Sequence, residues 1–432
     1  MFIKIDYFVV LNNRYFCMIY CLNNKILFLS DLQLIKMKNE FFLAKTFAGF
    51  ENLLLNELKN YGAKNLKAQN RSVLFEGDFN LLYKANYCSR FASRVLWQLK
   101  IFTFDSNETF YQEIKSVLVE KYLSRSGTFA VSCTASESIF KTPLFAALVT
   151  KDAICDRFRD LYGERPDVDK ENPEVQFHIH IYKNSAILYL DSSGESLHKR
   201  GYKVSNHPAS INEITAAAMV ALSGWEGKCD FIDPMCGGAT ILIEAAMQAL
   251  NIPAGYYREK YGFFKWLNFD RYIWKKTMNE SIINDDIPVD LYGYDINPRF
   301  LGMAKANVEK ARLEDFILLN KKDMRTVKPV RTPAMLIFNP PYGERLEMED
   351  SNLFYKEIGD SLKQNFSNCK AFLISSDIIA LKNIGLKTCF KQPIFNGPLE
   401  CKYYGYDLFS GKFAPPNKPH HGNYKIDGKK NG

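Results

Sequence analysis

Apolar positions along this chain recur with two periods, one suited to strands and one to helices, and the two alternate from Met37 to about Ser410. Phe41-Phe42-Leu43-Ala44 reads as a short strand. Glu51 to Tyr61 is amphipathic, with Leu54, Leu55 and Leu58 at helical spacing and Gly62 as the stop. Val73-Leu74-Phe75 predicts a second strand, and Phe79 to Ser89 a second helix. A further α/β pattern fills 101–205. It comprises a helix from about Thr109 to Leu123, a strand over Thr128–Cys133 and a long helix from Pro143 to Tyr162. A strand pair follows, Phe177–Tyr182 and Ala186–Asp191, turned at Lys183-Asn184-Ser185. From about 206 to 410 helix and strand alternate as a doubly wound parallel sheet should. The fold class is α/β.

The two ends depart from this rhythm. Residues 1–36 are apolar and aromatic, interrupted at Asn12-Asn13-Arg14 and Asn23-Asn24-Lys25. They fit either a hairpin around the Asn pairs or an extension upstream of a start at Met37, and the extension is the favoured reading. No stretch supports a transmembrane helix and no small-residue cleavage site follows the N-terminal segment. Residues 411–432 are rich in Lys, Pro, Gly, Asn and His and read as a disordered basic tail.

Composition changes this picture little. The 432 residues are 47% hydrophobic and 24% charged, an ordinary globular balance with room for two or three domains. A net charge of +8 permits nucleic acid as a partner without requiring it. The ten cysteines include no Cys-x-x-Cys pair, so reduced thiols of a cytoplasmic protein are the better reading. The six histidines form no metal-like cluster, and no metal is expected.

The candidate chemistry gathers at predicted strand ends. The apolar run Met335-Leu336-Ile337-Phe338 stops at Asn339-Pro340-Pro341-Tyr342, because neither proline can donate to a ladder. Asn339 is thereby pinned at a strand's carboxyl end, where open α/β sheets bind ligands. Its amide oxygen and the Asn339 and Pro340 carbonyls form a cluster of acceptors, and Tyr342 adds a flat aromatic face. Acceptors for an NH2 group beside a stacking surface suit a planar base with an exocyclic amine. Earlier, the strand Cys229–Asp233 runs into the turn Pro234-Met235-Cys236-Gly237-Gly238-Ala239-Thr240 and then a helix. The turn lacks both the Walker pattern and Gly-x-Gly-x-x-Gly, so phosphate is not its obvious guest. The next strand ends in Asp295, whose carboxylate can accept hydrogen bonds from both hydroxyls of a ribose. Asp323, after the strand Phe316–Leu319, can accept from an adenine amino group. The basic loop Leu197 to Lys203 reads equally as a solvated linker or as a phosphate contact.

Taken together these segments resemble a class I S-adenosylmethionine-dependent methyltransferase of the amino-methylating type. The fuller pattern is similar to the THUMP-domain RNA guanine-N2 methyltransferases that act on 23S ribosomal RNA, in a form with a single methyltransferase domain. The matching stretches are Arg200-Gly201-Tyr202, Asp233–Gly237, Ile252-Pro253-Ala254-Gly255, Asn339 to Leu346 and Phe395-Asn396-Gly397. The resemblance implies a ferredoxin-like and THUMP RNA-binding region over 37–205 and a Rossmann-like methyltransferase domain over 206–410, with an insertion at 251–288. It implies S-adenosylmethionine as cofactor, held by Asp233, Pro234, Cys236, Gly237, Asp295, Asp323 and Asn339. Asn339, Pro340 and Tyr342 would serve catalysis, and Lys199, Arg200, Tyr202, Arg258 and Lys265 would contact RNA. Burial is the better reading for Phe263 and Trp266. One departure stands out: where the family turn usually reads Cys-Gly-Ser-Gly-Thr, this chain has Ala239, so that either Gly238 absorbs the strain or cofactor affinity suffers. A transfer RNA guanine methyltransferase, a catalytically silent RNA-binding assembly factor and, more distantly, a DNA adenine methyltransferase are the competing readings.

Overall fold

The computed structural model describes residues 20–22, 25–27, 40–204, 210–341, 351–397 and 399–409. Two short strands, β1 (Tyr20–Leu22) and β2 (Lys25–Leu27), pair antiparallel with Tyr20 opposite Leu27. The next eight strands build one sheet. They are β3 (Glu40–Lys45), β4 (Lys64–Gln69), β5 (Ser72–Gly77), β6 (Arg94–Thr103), β7 (Thr128–Ser136), β8 (Asp167–Val168), β9 (Val175–Tyr182) and β10 (Ser185–Asp191). Their order is β4-β5-β3-β6-β10-β9-β7-β8.

The sequence suggested two successive α/β patterns parting near residue 100, and the sheet crosses that point without a break. The first residues of β6 pair with β3, Arg94 opposite Lys45, while Leu96 to Thr103 pair with β10. The strand β4 escaped the pattern because Lys-Asn-Leu-Lys-Ala-Gln carries almost nothing to bury; it is an edge strand, almost wholly exposed. The helix expected from Thr109 to Leu123 runs instead from Asn107 to Lys115, started by a Ser106–Thr109 capping box. β-Branched Val117 and Val119 disfavour its continuation, and a single 3-10 turn, Val119–Lys121, follows.

The second sheet comprises β11 (Asp230–Asp233), β12 (Leu291–Asp295), β13 (Ile317–Lys321), β14 (Ala334–Phe338), β15 (Lys370–Ser375), β16 (Thr388–Asn396) and β17 (Leu399–Asp407), in the order β13-β12-β11-β14-β15-β17-β16. The five strands β11 to β15 run parallel. The sheet is nonetheless mixed rather than wholly parallel, because β17 lies antiparallel to both β15 and β16. A hairpin whose turn includes Gly397 at φ +64° needs no crossover, so it reverses the chain at that edge. The strand order reverses between β11 and β14, which is where such sheets open a crevice for ligands.

One buried ion pair joins the two sheets. Arg200 is 1% exposed and Glu244, on the helix Thr240–Ala249, is fully buried. The Arg200 Nε lies 3.4 Å from a Glu244 oxygen, to which the Tyr202 hydroxyl also donates at 3.0 Å. The remaining guanidinium hydrogens go to the carbonyls of Leu197 (2.9 Å), Ser89 (3.4 Å) and Arg90 (2.6 Å). This removes Arg200 and Tyr202 from the expected RNA contacts: Tyr202 is also fully buried, and neither side chain has a surface to offer. The glycines of the same motifs are structural too. Gly201 sits at φ +101°, and a Cβ there would stand 2.3 Å from the Tyr257 carbonyl oxygen. A Cβ on Gly255 would stand 2.1 Å from the Tyr261 hydroxyl.

Arg200→Met should lower unfolding stability by about 3–5 kcal/mol in urea titrations, because it strands a buried carboxylate. Adding Glu244→Gln should recover part of that loss, since the uncompensated charge goes. Equal stability of single and double variants would show that the pairing matters less than the packing.

Candidate active site

The parallel register sets Asp233 of β11 opposite Gly293 of β12, so Asp295 projects beyond it at the same carboxyl edge. Asp233 is 1% exposed, and its carboxylate accepts the Met235 N–H at 3.1 Å. Burial, with the neighbouring Asp295 charge adding to it, pushes the Asp233 pKa well above the usual carboxylate range. Asp295 accepts the Gly237 N–H at 3.0 Å through one oxygen and the Asn297 N–H at 2.8 Å through the other. It thereby ties the glycine turn to the tip of β12. Cys236 is buried between these acids, which together with desolvation raise its thiol pKa well above normal; it stays a neutral packing group.

The turn itself corrects one expectation. Gly237 takes φ +53°, but the second left-handed residue is Ala239 at φ +62°, not Gly238. That conformation costs an alanine about 1–2 kcal/mol. Two contacts hold it: the Ala239 N–H donates to the Cys236 carbonyl at 2.7 Å, and its methyl is fully buried. Asn307, on the helix Pro298–Lys310, secures the turn from the side, donating to the Gly238 carbonyl at 3.0 Å and accepting the Val204 N–H at 2.9 Å. The sequence reading gave Asn307 no role. Its signal was there, an asparagine on the apolar stripe of Leu301, Ala304, Val308 and Ala311.

At the carboxyl end of β14, the chain enters Asn339 and buried Pro340. The Asn339 Oδ1 is buried and has no hydrogen-bond partner among the described residues. A buried acceptor left without a partner costs about 1–3 kcal/mol. Tyr342 lies outside the described residues.

These features surround one cavity of about 520 Å³. Asp233, Pro234, Cys236, Gly237, Asp295 and Asp323 all line it, with Asn339 and Pro340 on the β14 side. Asp323 is engaged by Arg325, whose Nε approaches at 3.0 Å and holds the carboxyl below its usual range. Lining residues that the sequence reading did not single out include Phe300, Phe354 and Glu357. The last two come from the helix Ser351–Asn365, whose contact with the strand tips only the folded chain reveals. The volume suits a nucleoside-sized guest. Its carboxylates suit hydroxyl donors and positive charge, and Arg325, the guanidinium on its wall, is already paired with Asp323. Among the described residues no cluster of His, Cys, Asp and Glu could hold a metal ion, and no helix is long and apolar enough to cross a membrane.

The remaining candidate RNA contacts divide. Arg258 is a clamp rather than a free cation: its two terminal nitrogens donate to the carbonyls of Ser193, Glu195, Ser196, Lys199 and Lys260 at 2.7–3.4 Å. That corrects its assignment to RNA. Lys199 is exposed and pairs only with exposed Glu195 at 3.1 Å, and Lys265 is exposed with a single 3.4 Å bond to the Pro173 carbonyl. Phe263 and Trp266 are core residues, as expected.

A twisted α/β sheet of this strand order, with a nucleoside-sized acidic crevice at its switch point, defines a Rossmann-like methyltransferase. Known proteins agree. An RMKL-like methyltransferase domain matches residues 200–405, a THUMP domain residues 105–191, and an RlmL ferredoxin-like domain residues 41–96. A Synechocystis sp. protein provisionally named RNA methyltransferase slr0064 is 34% identical over 371 residues, 85% of this chain and 97% of that one. The ribosomal RNA large subunit methyltransferase K/L of Methylococcus capsulatus is 33% identical over 384 residues, 87% of this chain. The chain spans about half the length of that enzyme, 52%. A crystal structure titled as a methyltransferase complexed with SAH, SMU.472, superposes with a TM-score of 0.79 at 29% identity, covering 87% of this chain and 100% of that one. This chain belongs to the RMKL-like methyltransferase family and carries its ferredoxin-like and THUMP domains.

Because Asn339 Oδ1 is unpaired, Asn339→Ala should leave stability unchanged or raise it by up to about 1 kcal/mol in urea unfolding of the unliganded protein. A clear destabilisation would show that the oxygen is already satisfied.

Proposed function

We propose that this chain transfers a methyl group from S-adenosylmethionine to the exocyclic N2 amine of a guanine in 23S ribosomal RNA. The observation that carries the proposal is the buried Asn339 Oδ1, without a partner among the described residues, beside a nucleoside-sized acidic cavity. The name of the K/L relative and the THUMP match favour ribosomal RNA as the substrate class.

The residues present fit the donor. All line one cavity, in which Asp295 is assigned to the ribose hydroxyls, Asp323 to the adenine amine and the turn from Asp233 to Gly237 to the methionine portion. The bound donor supplies an electrophilic methyl group on a sulfonium. The chain's own task is to hold the amine. Asn339 Oδ1 and the Pro340 carbonyl accept its two N–H hydrogens, which directs the nitrogen lone pair toward the methyl. Tyr342 is assigned to stack on the base, and the base must leave its helix to reach it. The proton departs once the nitrogen is methylated, so no side chain need be a strong base. Lys199 and Lys265, still exposed, remain candidates for phosphate contact.

Labelled S-adenosylmethionine with unmodified 23S, 16S and transfer RNA tests the reading. N2-methylguanosine in 23S RNA alone, lost in Asn339→Ala, is the expected result. Label in transfer RNA would move the substrate; no label with the donor still bound would point to a missing ribosomal context, and no donor binding at all would favour a silent RNA-binding factor. Asp295→Ala should weaken donor binding by about one to two decades by calorimetry, since hydrogen bonds to a charged group are worth about 1.5–3 kcal/mol. The buried Asp233 gives a pH dependence. Its raised pKa means that it binds a proton below that value and a cation above it. Donor affinity should therefore fall as pH drops through the raised pKa, and Asp233→Asn should flatten the profile.

A further inference from the structure

A second concavity lies on the face of the eight-stranded sheet away from the helices. It encloses about 920 Å³, enough for a nucleotide. Its floor is a small apolar patch of Leu43 and Tyr189, with Leu74 and Ile187 beside them. Lys45 rises from this floor, half-buried, and its one hydrogen bond among the described residues is to His178 Nε2 at 3.2 Å. His178 is itself buried and keeps its proton count low, its pKa pushed down to about 3 chiefly by desolvation. It therefore accepts from Lys45 and does not neutralise it. Arg71 forms the rim, its guanidinium 5.6 Å from the centre of the Phe395 ring. Among the described residues no aspartate or glutamate lines the groove. Two acids stand just behind it: Asp191 on β10, 3% exposed and paired with Arg94, and Glu51, whose carboxylate accepts the Arg71 and Gly49 N–H groups at 3.0 and 2.8 Å.

The groove is tied to the methyltransferase cavity through hydrogen bonds. Its wall includes Phe395 and Gly397. Between them, Asn396 accepts the Asn212 N–H at 3.3 Å, and Thr215 donates to the Phe395 carbonyl at 3.0 Å. Ser210 and Ile211, just before Asn212, line the methyltransferase cavity. The two concavities are thus linked by hydrogen bonds through the segment Ser210 to Thr215 and the end of β16.

We propose that this groove binds one unpaired nucleotide of the RNA substrate, with its phosphate on Lys45 and Arg71 and its base against the apolar floor. The inference rests on the RNA reading above and assigns it a place. Unpaired RNA is the occupant that the chemistry favours, because the cations Lys45 and Arg71, in a lining with no carboxylate among the described residues, match a phosphate and a flat apolar floor matches a base freed from its stack.

Full-length protein and its variants Lys45→Gln, Lys45→Arg and Arg71→Gln should be compared by filter retention of unmodified 23S RNA over a salt series. S-adenosylmethionine binding and melting temperature would be followed alongside. Lys45→Gln and Arg71→Gln should each weaken retention about tenfold, and each should flatten the salt slope by about 0.7. Lys45→Arg should retain both, and donor binding should not move. Wild-type retention and slope in both glutamine variants would overturn the groove alone. No RNA retention by the wild type would overturn the RNA reading with it. If Lys45→Gln lowers the melting temperature, Arg71→Gln, on an exposed turn, decides by the same criteria.

Discussion

The architecture turns on the buried contact between Arg200 and Glu244. Neither charge can return to water without opening the joint, so the pair must be satisfied where it is. Arg200 meets that demand by spending its hydrogens on both halves: the Ser89 and Arg90 carbonyls on one side, Glu244 on the other. Arg90 extends the seam, donating to the Met247 and Ile252 carbonyls at 2.9 and 2.8 Å. Glu244 sits on the helix that begins directly after the glycine turn. The element that fixes the N-terminal sheet therefore also shapes the cofactor-side loop. The two sheets are held in one geometry by a few desolvated groups.

Stability is surrendered locally at the strand tips. Asp233 is a buried carboxylate with a raised pKa, Asn339 carries an orphaned oxygen, and Ala239 adopts a left-handed backbone. Each costs on the order of a kilocalorie or more in isolation. Asp233 and Asn339 line one crevice, where a guest with an amine and a positive charge would relieve both, and Ala239 stands in the turn that walls it. This clustering is what a packing defect would not produce.

The residues that look most like nucleic-acid contacts in the sequence are mostly not. Arg200, Tyr202 and Arg258 bind the chain's own carbonyls and carboxylates, because a linker crossing between two sheets leaves main-chain groups that only long polar side chains can reach. The phosphate contact proposed above falls instead on Lys45 and Arg71, residues distant in sequence from the basic loop.

The sequence by itself determined the elements and the chemistry at their ends. Strand periodicity, the Gly62 stop, the prolines after Phe338 and the acids at Asp233 and Asp295 are local signals, written in adjacent residues, and the helix Pro143–Tyr162 was legible to the residue. What needed the tertiary structure was everything set by contacts between distant segments. The fusion of two α/β units through β6 could not be read locally. Nor could the antiparallel return of β17, the strain on Ala239 or the burial of Arg200. A positive charge looks the same in sequence whether it faces solvent or a buried glutamate 44 residues away. Only packing decides which, because the cost of burying a charge depends on the partner that folding brings to it.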